Sequence, residues 1–181
     1  PQQPKFPSPT ELLYLADCLD REEDQEAKKM LLLTLDKMAQ GGIRDHVGGG
    51  FHRYSVDRFW RIPHFEKMLY DNAQLASVYS EAYALTGDVS YRRVTEELLD
   101  FTLREMRDPQ GGFYSAIDAE TDAEEGKFYR WELKELQEVL SEDAFSRLAP
   151  IYSFSGSPNF NHEGHAYYVL QLSDSLAKLA A

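Results

Sequence analysis

The segment Gly49-Gly50-Phe51-His52-Arg53-Tyr54 is followed 62 residues later by Gly111-Gly112-Phe113-Tyr114-Ser115. Each copy stands after a pair of stretches whose apolar residues follow a helical spacing. One helix pair and one Gly-Gly-Phe loop per period indicate an array of structural repeats. The sequence therefore predicts an all-α fold of αα-hairpins. Because each loop follows the second helix of a pair, we expect all of these loops at the same end of the array.

Capping residues and helix breakers predict where the helices begin and end. Ser8-Pro9-Thr10-Glu11 is typical of a helix start, with Ser8 as the cap and Pro9 in the first turn. Gly41 and Gly87 are expected to end the second and third helices. The predicted helices therefore run from about Ser8, from Asp24 to Gln40, from Pro63 to Thr86, from 88 to Arg107, from 131 to 141, from 142 to 152 and from 171 to 181.

Aromatic and polar residues alternate after each Gly-Gly-Phe, which predicts short β-hairpins within residues 51–60, 113–118 and 127–131. Long loops inside a compact domain usually carry function, so the candidate site is placed there. Six helix pairs would close a ring, and 181 residues hold about three pairs. We therefore expect residues 1–181 to form a partial toroid domain, about half of an (α/α)6 toroid.

The composition excludes several classes of protein. A net charge of −12 disfavours binding to nucleic acid or to an anionic membrane, and no apolar run approaches the ~20 residues that span a bilayer. Cys18 is the only cysteine, which excludes a disulfide framework and favours a cytoplasmic location. Between Arg44 and Lys67, however, basic residues outnumber acidic ones. This local excess fits a site for an anionic or polyhydroxyl ligand, or else a salt-bridged loop.

Three strings carry a family resemblance: residues 48–55 (GGGFHRYS), 63–72 (PHFEKMLYDN) and 111–116 (GGFYSA). In these strings, and over nearly the whole chain, the sequence resembles the spermatogenesis-associated protein 20-like family of thioredoxin-domain-containing proteins. The resemblance implies a thioredoxin-like domain upstream and a toroid similar to six-hairpin glycosidases and sugar 2-epimerases, of which the downstream half is absent here. Ile117 and Glu120 depart from the family pattern, which has Glu and Asp at these positions, whereas Asp118 and Glu125 match.

His52 is the first candidate for proton transfer, because imidazole titrates near neutral pH and the adjacent glycines let a ligand approach the backbone. It could instead hydrogen-bond a loop carbonyl. A helix from Pro63 would place His64, Lys67 and Asp71 on one face. Carboxylates of the second loop, Asp118 above all, fit glycoside chemistry. The predicted catalytic residues are His52, His64, Asp71 and Asp118, and the predicted substrate-binding residues are Arg53, Tyr54, Trp60, Lys67, Phe113, Tyr114 and Glu125.

The string His162-Glu163-Gly164-His165 differs in spacing from the zinc motif His-Glu-x-x-His, so we expect neither a metal nor another cofactor. The leading hypothesis is a carbohydrate-processing or carbohydrate-binding toroid with an epimerase-like or hydrolase-like cleft and a sugar ligand. The alternative is a non-catalytic scaffold or protein-docking module that accompanies a thioredoxin-like domain. Half a ring would leave apolar helix faces uncovered, so the isolated chain is expected to self-associate.

Overall fold

A computed structural model describes residues 4–21 and 24–179. Helices occupy roughly half of the chain and pair as antiparallel hairpins, α1 with α2, α3 with α4, and α5 with α6. A π-helical turn, Thr102–Met106, extends α4. The helices are α1 (Pro9–Arg21), α2 (Gln25–Gln40), α3 (Leu69–Thr86), α4 (Val89–Phe101), α5 (Leu133–Val139), α6 (Glu142–Ile151) and α7 (Leu176–Leu179).

Short strands lie in the connections between the helix pairs. They form three two-stranded ladders, β1 with β2, β3 with β4 and β5 with β6, and one three-stranded sheet in the order β7-β9-β8. The strands are β1 (Tyr54–Ser55), β2 (Pro63–His64), β3 (Lys67–Met68), β4 (Ala116–Ile117), β5 (Glu120–Thr121), β6 (Glu124–Glu125), β7 (Arg130–Trp131), β8 (Phe160–His162) and β9 (His165–Val169).

A basic residue precedes the first helix of each pair and pairs through its backbone with the segment that follows the second helix. Lys5 pairs with Ser55, Lys67 with Ile117 and Arg130 with Val169, all antiparallel. Each basic side chain also lies over an aromatic ring, at 3.9 Å for Lys5 over Trp60, 4.8 Å for Lys67 over Tyr129 and 4.4 Å for Arg130 over Tyr167. The predicted repeat is therefore present three times.

The two Gly-Gly-Phe loops share two backbone features. In both, the paired glycines have positive φ angles, from 78° at Gly50 to 102° at Gly111. An isolated bridge closes each loop, Arg44 to Phe51 in the first and Arg107 to Phe113 in the second. Since β4, which follows the second loop, pairs with β3, which follows the first, both loops lie at the same end of the helices, as predicted.

The main core lies between α1, α2, α3 and α4. Asp24 caps α2 by accepting hydrogen bonds from the backbone N–H groups of Glu26 and Ala27, which fixes the start of that helix. Tyr79 of α3 is fully buried, donates a hydrogen bond to the Leu35 carbonyl oxygen and stacks on Phe51 at 5.5 Å between ring centroids. The first loop is thereby fastened to the helical core.

The third helix does not begin at Pro63, as predicted, but at Leu69. Pro63 and His64 pair with Ser55 and Tyr54, and the next strand, β3, pairs with β4. These pairings are non-local, so the local helix-start signal of the proline is overridden. The expectation that His64, Lys67 and Asp71 share one helix face is therefore wrong, because only Asp71 is helical.

Three further boundaries differ from the predictions. The hairpin of β8 and β9 was not expected, so strands are not confined to the predicted stretches. The helix expected from 131 begins at Leu133 because Trp131 belongs to β7. The last predicted helix is helical only at Leu176–Leu179 within the described residues, and its final two residues lie outside them.

Apolar side chains of the second repeat remain exposed. They include Leu99 and Leu103 on the outer side of α4 and its extension, and Phe113 and Tyr114 of the second loop, each about half exposed. In the first loop, by contrast, Phe51 is buried under α3. Exposed apolar clusters favour association, and self-association of the isolated chain stays a prediction.

Candidate functional site

A cavity of about 400 Å³ lies between the first Gly-Gly-Phe loop and the segment 127–131 of the next repeat. This volume is within the range of small-molecule sites. Aromatic side chains from one side and polar groups from the other face the same space. The lining residues include Arg44, Asp45, His46, His52, Lys127, Phe128, Tyr129, Arg130, Trp131 and Glu135.

An ion pair between Lys67 and Asp45 lies beneath the cavity. Nζ of Lys67 donates to Oδ2 of Asp45 at 2.7 Å and to the Gly49 carbonyl oxygen at 2.8 Å, and its side chain is 2% exposed. Oδ1 of Asp45 accepts from the backbone N–H groups of Val47 and Gly48. The pair therefore ties the first loop to β3 and uses two of the three Nζ donors of Lys67.

Burial disfavours the charged form of both residues, but it determines the direction of the pKa shift only for Lys67. Burial lowers the pKa of Lys67 despite the attraction of Asp45. Burial alone would raise the pKa of Asp45, but the Lys67 charge and the hydrogen bonds hold that pKa below its usual value. We infer that both groups are ionised at neutral pH and that the pair is close to balanced between Coulomb gain and desolvation.

His52 lies in the wall of the cavity and is 1% exposed. Its Nδ1 donates to the Phe65 carbonyl oxygen at 2.9 Å, and its ring meets those of Phe65 and Tyr129 edge-on. Burial, together with the charge of Lys67, lowers the pKa of His52 to about 3. The imidazole is therefore neutral, and its Nε2 is an acceptor. The hydrogen bond to a loop carbonyl, left open by the sequence, is present.

The predicted residues His64 and Glu125 meet each other outside the lining of the cavity. Nδ1 of His64 donates to Oε1 of Glu125 at 2.7 Å, and the His64 ring stacks on Tyr54 at 4.8 Å. Glu66 lies 3.9 Å from Nε2 of His64 and accepts a 3.0 Å hydrogen bond from Arg53. A carboxylate that orients an imidazole is the arrangement of many general bases. Tyr54, Arg53, His64 and Glu125 are thus brought together as one surface cluster.

Asp71 lies in the first turn of α3, buried to 6% exposure, and its Oδ2 has no hydrogen-bond partner within the described part of the chain. Burial raises the pKa of Asp71 to about 6, Arg53 opposes that shift and Glu66 adds to it. The ionised carboxylate is therefore disfavoured in the folded protein. Asp71 shares Arg53 and Glu66 with the His64 cluster, but it does not line the cavity.

The raised pKa of Asp71 predicts a stability that falls with pH. Because the folded protein holds this proton up to about pH 6 and the unfolded chain releases it near 3.8, stability is lost as the pH rises through that interval. We expect Asp71→Asn to melt at a higher temperature than the parent at pH 7.5 and to lose the difference at pH 4. Thermal melts across this range measure it, with exposed Asp118→Asn as control. A lower melting temperature for Asp71→Asn at pH 7.5 would contradict the assignment.

The remaining predicted residues lie elsewhere. Asp118 is exposed, and its Oδ1 accepts from the Glu120 backbone N–H, which makes it a turn residue. Trp60 is buried in the core beneath Lys5. Phe113 and Tyr114 are exposed on the second loop. The structure does not bring these residues to the cavity, so of the predicted set His52 lines it and Lys67 supports it from below.

Sequence reasoning missed two residues that complete the cavity, Asp45 and Arg130, whereas the aromatic residues Tyr129 and Trp131 of the lining were candidates for stacking on sugar rings from the sequence alone. A signal existed: Arg44-Asp45 before the first loop matches Arg107-Asp108 before the second. In the second loop Asp108 hydrogen-bonds Tyr114 and raises its pKa, whereas in the first loop Asp45 contacts Lys67. An aspartate at the same place in both repeats therefore indicated that this side chain makes a contact at the start of each loop.

The string from His162 to His165 forms the turn between β8 and β9, with positive φ angles at Glu163 and Gly164. His162 and His165 face each other across the ladder and contact different carboxylates, Glu124 at 3.8 Å and Glu132 at 4.0 Å. No cluster of three potential metal ligands occurs among residues 4–21 and 24–179. Nor is any helix in that part of the chain long and apolar enough to cross a membrane.

Curated relatives match most of this chain. Human spermatogenesis-associated protein 20 is 47% identical over 162 residues, which is 84% of this chain and 21% of that protein. The rat protein is 42% identical over 97% of this chain and 25% of its own length. An uncharacterized protein of Caenorhabditis elegans is 35% identical over 97% of this chain and 27% of its own length. The chain thus spans about a quarter of these relatives. No protein-family model matches it.

Two solved structures share the fold. A family 76 glycoside hydrolase from a bovine Bacteroides thetaiotaomicron strain superposes with a TM-score of 0.52 at 20% identity, over 60% of this chain and 22% of that one. A D-mannose isomerase superposes with a TM-score of 0.50 at 22% identity, over 62% of this chain and 29% of that one. At such identities the likeness concerns the fold alone. The predicted (α/α) toroid architecture is confirmed.

Proposed function

Because this chain belongs to the same family as a segment of spermatogenesis-associated protein 20, and shares its fold with carbohydrate enzymes, we propose that it forms a carbohydrate-binding cleft. The observation that carries the proposal is the cavity between the first loop and residues 127–131, which aromatic rings and the imidazole of His52 line together. Sugars have apolar C–H faces and hydroxyl edges, and this lining offers a partner to each.

The aromatic side of the cavity is exposed enough to receive a ligand. Phe128 is 68% exposed, and Trp131 and Tyr129 are partly buried beside it. Tyr129 has its pKa raised to about 12 by burial and by the nearby Asp45 carboxylate, so it keeps its hydroxyl proton. On the other side, Nδ1 of the neutral His52 donates to the Phe65 carbonyl oxygen, which leaves Nε2 as an acceptor. The proposed ligand lies between the rings and this imidazole.

Within this proposal His52 binds rather than transfers a proton, because a base of pKa about 3 is poorly matched to neutral pH. The His64–Glu125 pair has the better geometry for epimerase-like or hydrolase-like turnover. The catalytic roles of His52, His64, Asp71 and Asp118 stay predictions. Carbohydrate metabolism, a cytoplasmic location, an upstream thioredoxin-like domain and a further toroid half are likewise part of the proposal.

A second candidate function is docking of a protein partner. It is favoured by the exposed apolar side chains of Leu99, Leu103, Phe113 and Tyr114, none of which lines the cavity. A scaffold needs such a surface, but it does not need an aromatic-lined cavity. The two functions therefore use different faces, and a cavity variant distinguishes them.

The cleft is tested by titrating the protein with D-glucose and D-mannose while following tryptophan fluorescence. The sequence has two tryptophans; Trp131 lines the cavity and Trp60 lies in the core, so a bound sugar should change the emission of Trp131. Phe128→Ala is expected to weaken binding about two- to tenfold, the value of one aromatic contact. Phe59→Ala, similarly exposed but outside the cavity, is the matched control. Absence of binding, or equal loss in both variants, would reject the cleft.

A further inference from the structure

The cations that line the cavity already have carboxylate partners. Arg44 contacts Glu97, and Arg130 contacts Glu124, with both guanidinium groups almost fully buried. Lys127 contacts Asp122 at 3.1 Å. Beneath them Lys67 contacts Asp45. Each cation at the cavity is thus in contact with a carboxylate before a ligand arrives, and Arg44 shares its partner Glu97 with Arg93.

The two histidines of the lining do not add positive charge. Burial lowers the pKa of His46 to about 4, with Arg44 adding to the shift, and Nε2 of His46 donates to the Gly41 carbonyl oxygen at 3.0 Å. His52 is neutral for the same main reason. Glu135, also in the lining, accepts a hydrogen bond from the Glu132 backbone N–H and has no cationic partner among the ion pairs of the described residues. Glu135 therefore adds a negative charge to a lining whose cations are each already in contact with a carboxylate.

We propose that this cavity selects an uncharged polyhydroxyl ligand over an anionic one such as a sugar phosphate. The inference rests on the proposed carbohydrate-binding function and decides between the ligand classes that the local basic excess of the sequence left open. A phosphate at either arginine would have to compete with a carboxylate that is already in contact with the guanidinium group. The net charge of −12 adds a long-range repulsion of anions. Hydroxyl groups need no free cation, and His52, Glu135 and the Trp131 indole N–H supply acceptors and a donor.

Removal of one carboxylate should reverse the preference. Glu124→Gln keeps the size of the side chain but leaves Arg130 without its charge partner. Asp122→Asn removes the nearer of the two carboxylates that contact the more exposed Lys127, the other being Glu124 at 4.0 Å. Asp122 has a φ of 54°, which asparagine tolerates, so that variant is expected to fold even if Glu124→Gln does not. Glu138→Gln, on the exposed Lys134–Glu138 pair of α5, is the matched control.

The experiment compares D-glucose with D-glucose 6-phosphate by NMR titration of the protein and its three variants. The parent and Glu138→Gln should bind glucose at least tenfold more tightly than the phosphate. Glu124→Gln or Asp122→Asn should narrow that ratio at least threefold through tighter phosphate binding. Preference of the parent for the phosphate, or no change of the ratio in either folded cavity variant, overturns the inference and leaves the cleft standing. Binding of neither probe rejects the proposed function and the inference with it.

Discussion

Replacement of Lys67 by methionine is expected to lower the free energy of unfolding by about 3–5 kcal/mol, the cost of breaking a buried ion pair from one side. Methionine fills nearly the same volume, so packing changes little, but Asp45 is left ionised and almost buried with its partner gone. The carbonyl oxygen of Gly49 loses a donor as well. Chemical denaturation at neutral pH measures the loss.

Two further variants test whether the loss comes from the buried charge of Asp45. Lys134→Met removes an exposed ion pair of the same type, 3.6 Å from Glu138, and should change stability by no more than ~0.5 kcal/mol. Asp45→Asn added to Lys67→Met removes the stranded charge and should recover part of the loss, because the amide oxygen can still accept from Val47 and Gly48. A double variant no more stable than Lys67→Met alone would show that the charge of Asp45 is not the cause.

Gly50→Ala is expected to lower the free energy of unfolding by about 2–5 kcal/mol. This is the combined cost of a left-handed backbone conformation at alanine and of overpacking. Gly50 has a φ of 78°, and a Cβ there would lie 2.5 Å from ring atoms of Phe101. Phe101 is itself buried and lies under the Lys67 ammonium group, so the ring cannot move without disturbing that ion pair. Chemical denaturation of Gly50→Ala and of the parent protein measures this loss of unfolding free energy.

The internal repeat supplies the matched control. Gly112 occupies the same place in the second loop with a φ of 83°, but a Cβ there meets no atom within 4 Å. Gly112→Ala should therefore lower the free energy of unfolding only by the cost of the left-handed backbone conformation, about 1–2 kcal/mol. The difference between the two variants isolates the steric contact with Phe101. Equal losses would mean that the first loop relaxes away from α4.

The helices were predictable where their signals are local. The start of α2 lies within one residue of the predicted position, where Asp24 caps the helix, and Gly87 adopts a left-handed conformation at the end of α3. The start of α3 was not predictable, because Lys67 and Met68 are held as a strand by residues 116 and 117. Pairing across such a separation leaves no periodicity in either segment.

The candidate site was predictable only in part, for a related reason. His52 was predicted from its glycine neighbours and from the near-neutral pKa of an ordinary imidazole. Its role depends instead on burial against Tyr129 and Phe65, and burial lowers its pKa far below that ordinary value. The Arg-Asp sequence that Asp45 shares with Asp108 does not show which residue Asp45 contacts, and its partner Lys67 was expected on a helix. Local sequence shows which residues are polar, but the partner of each polar group is set by non-local packing.

The pairing of each basic residue with the segment beyond its own helix pair has a consequence for how this protein can change its length. The third pair, α5 and α6, has 7 and 10 residues, against 18 and 13 in α3 and α4, yet Arg130 still pairs with Val169 as Lys67 pairs with Ile117. Helical turns can thus be lost or gained at the far end of a unit while the ladder at the loop end keeps its register. Insertions and deletions in the helices are therefore insulated from the geometry of the cavity.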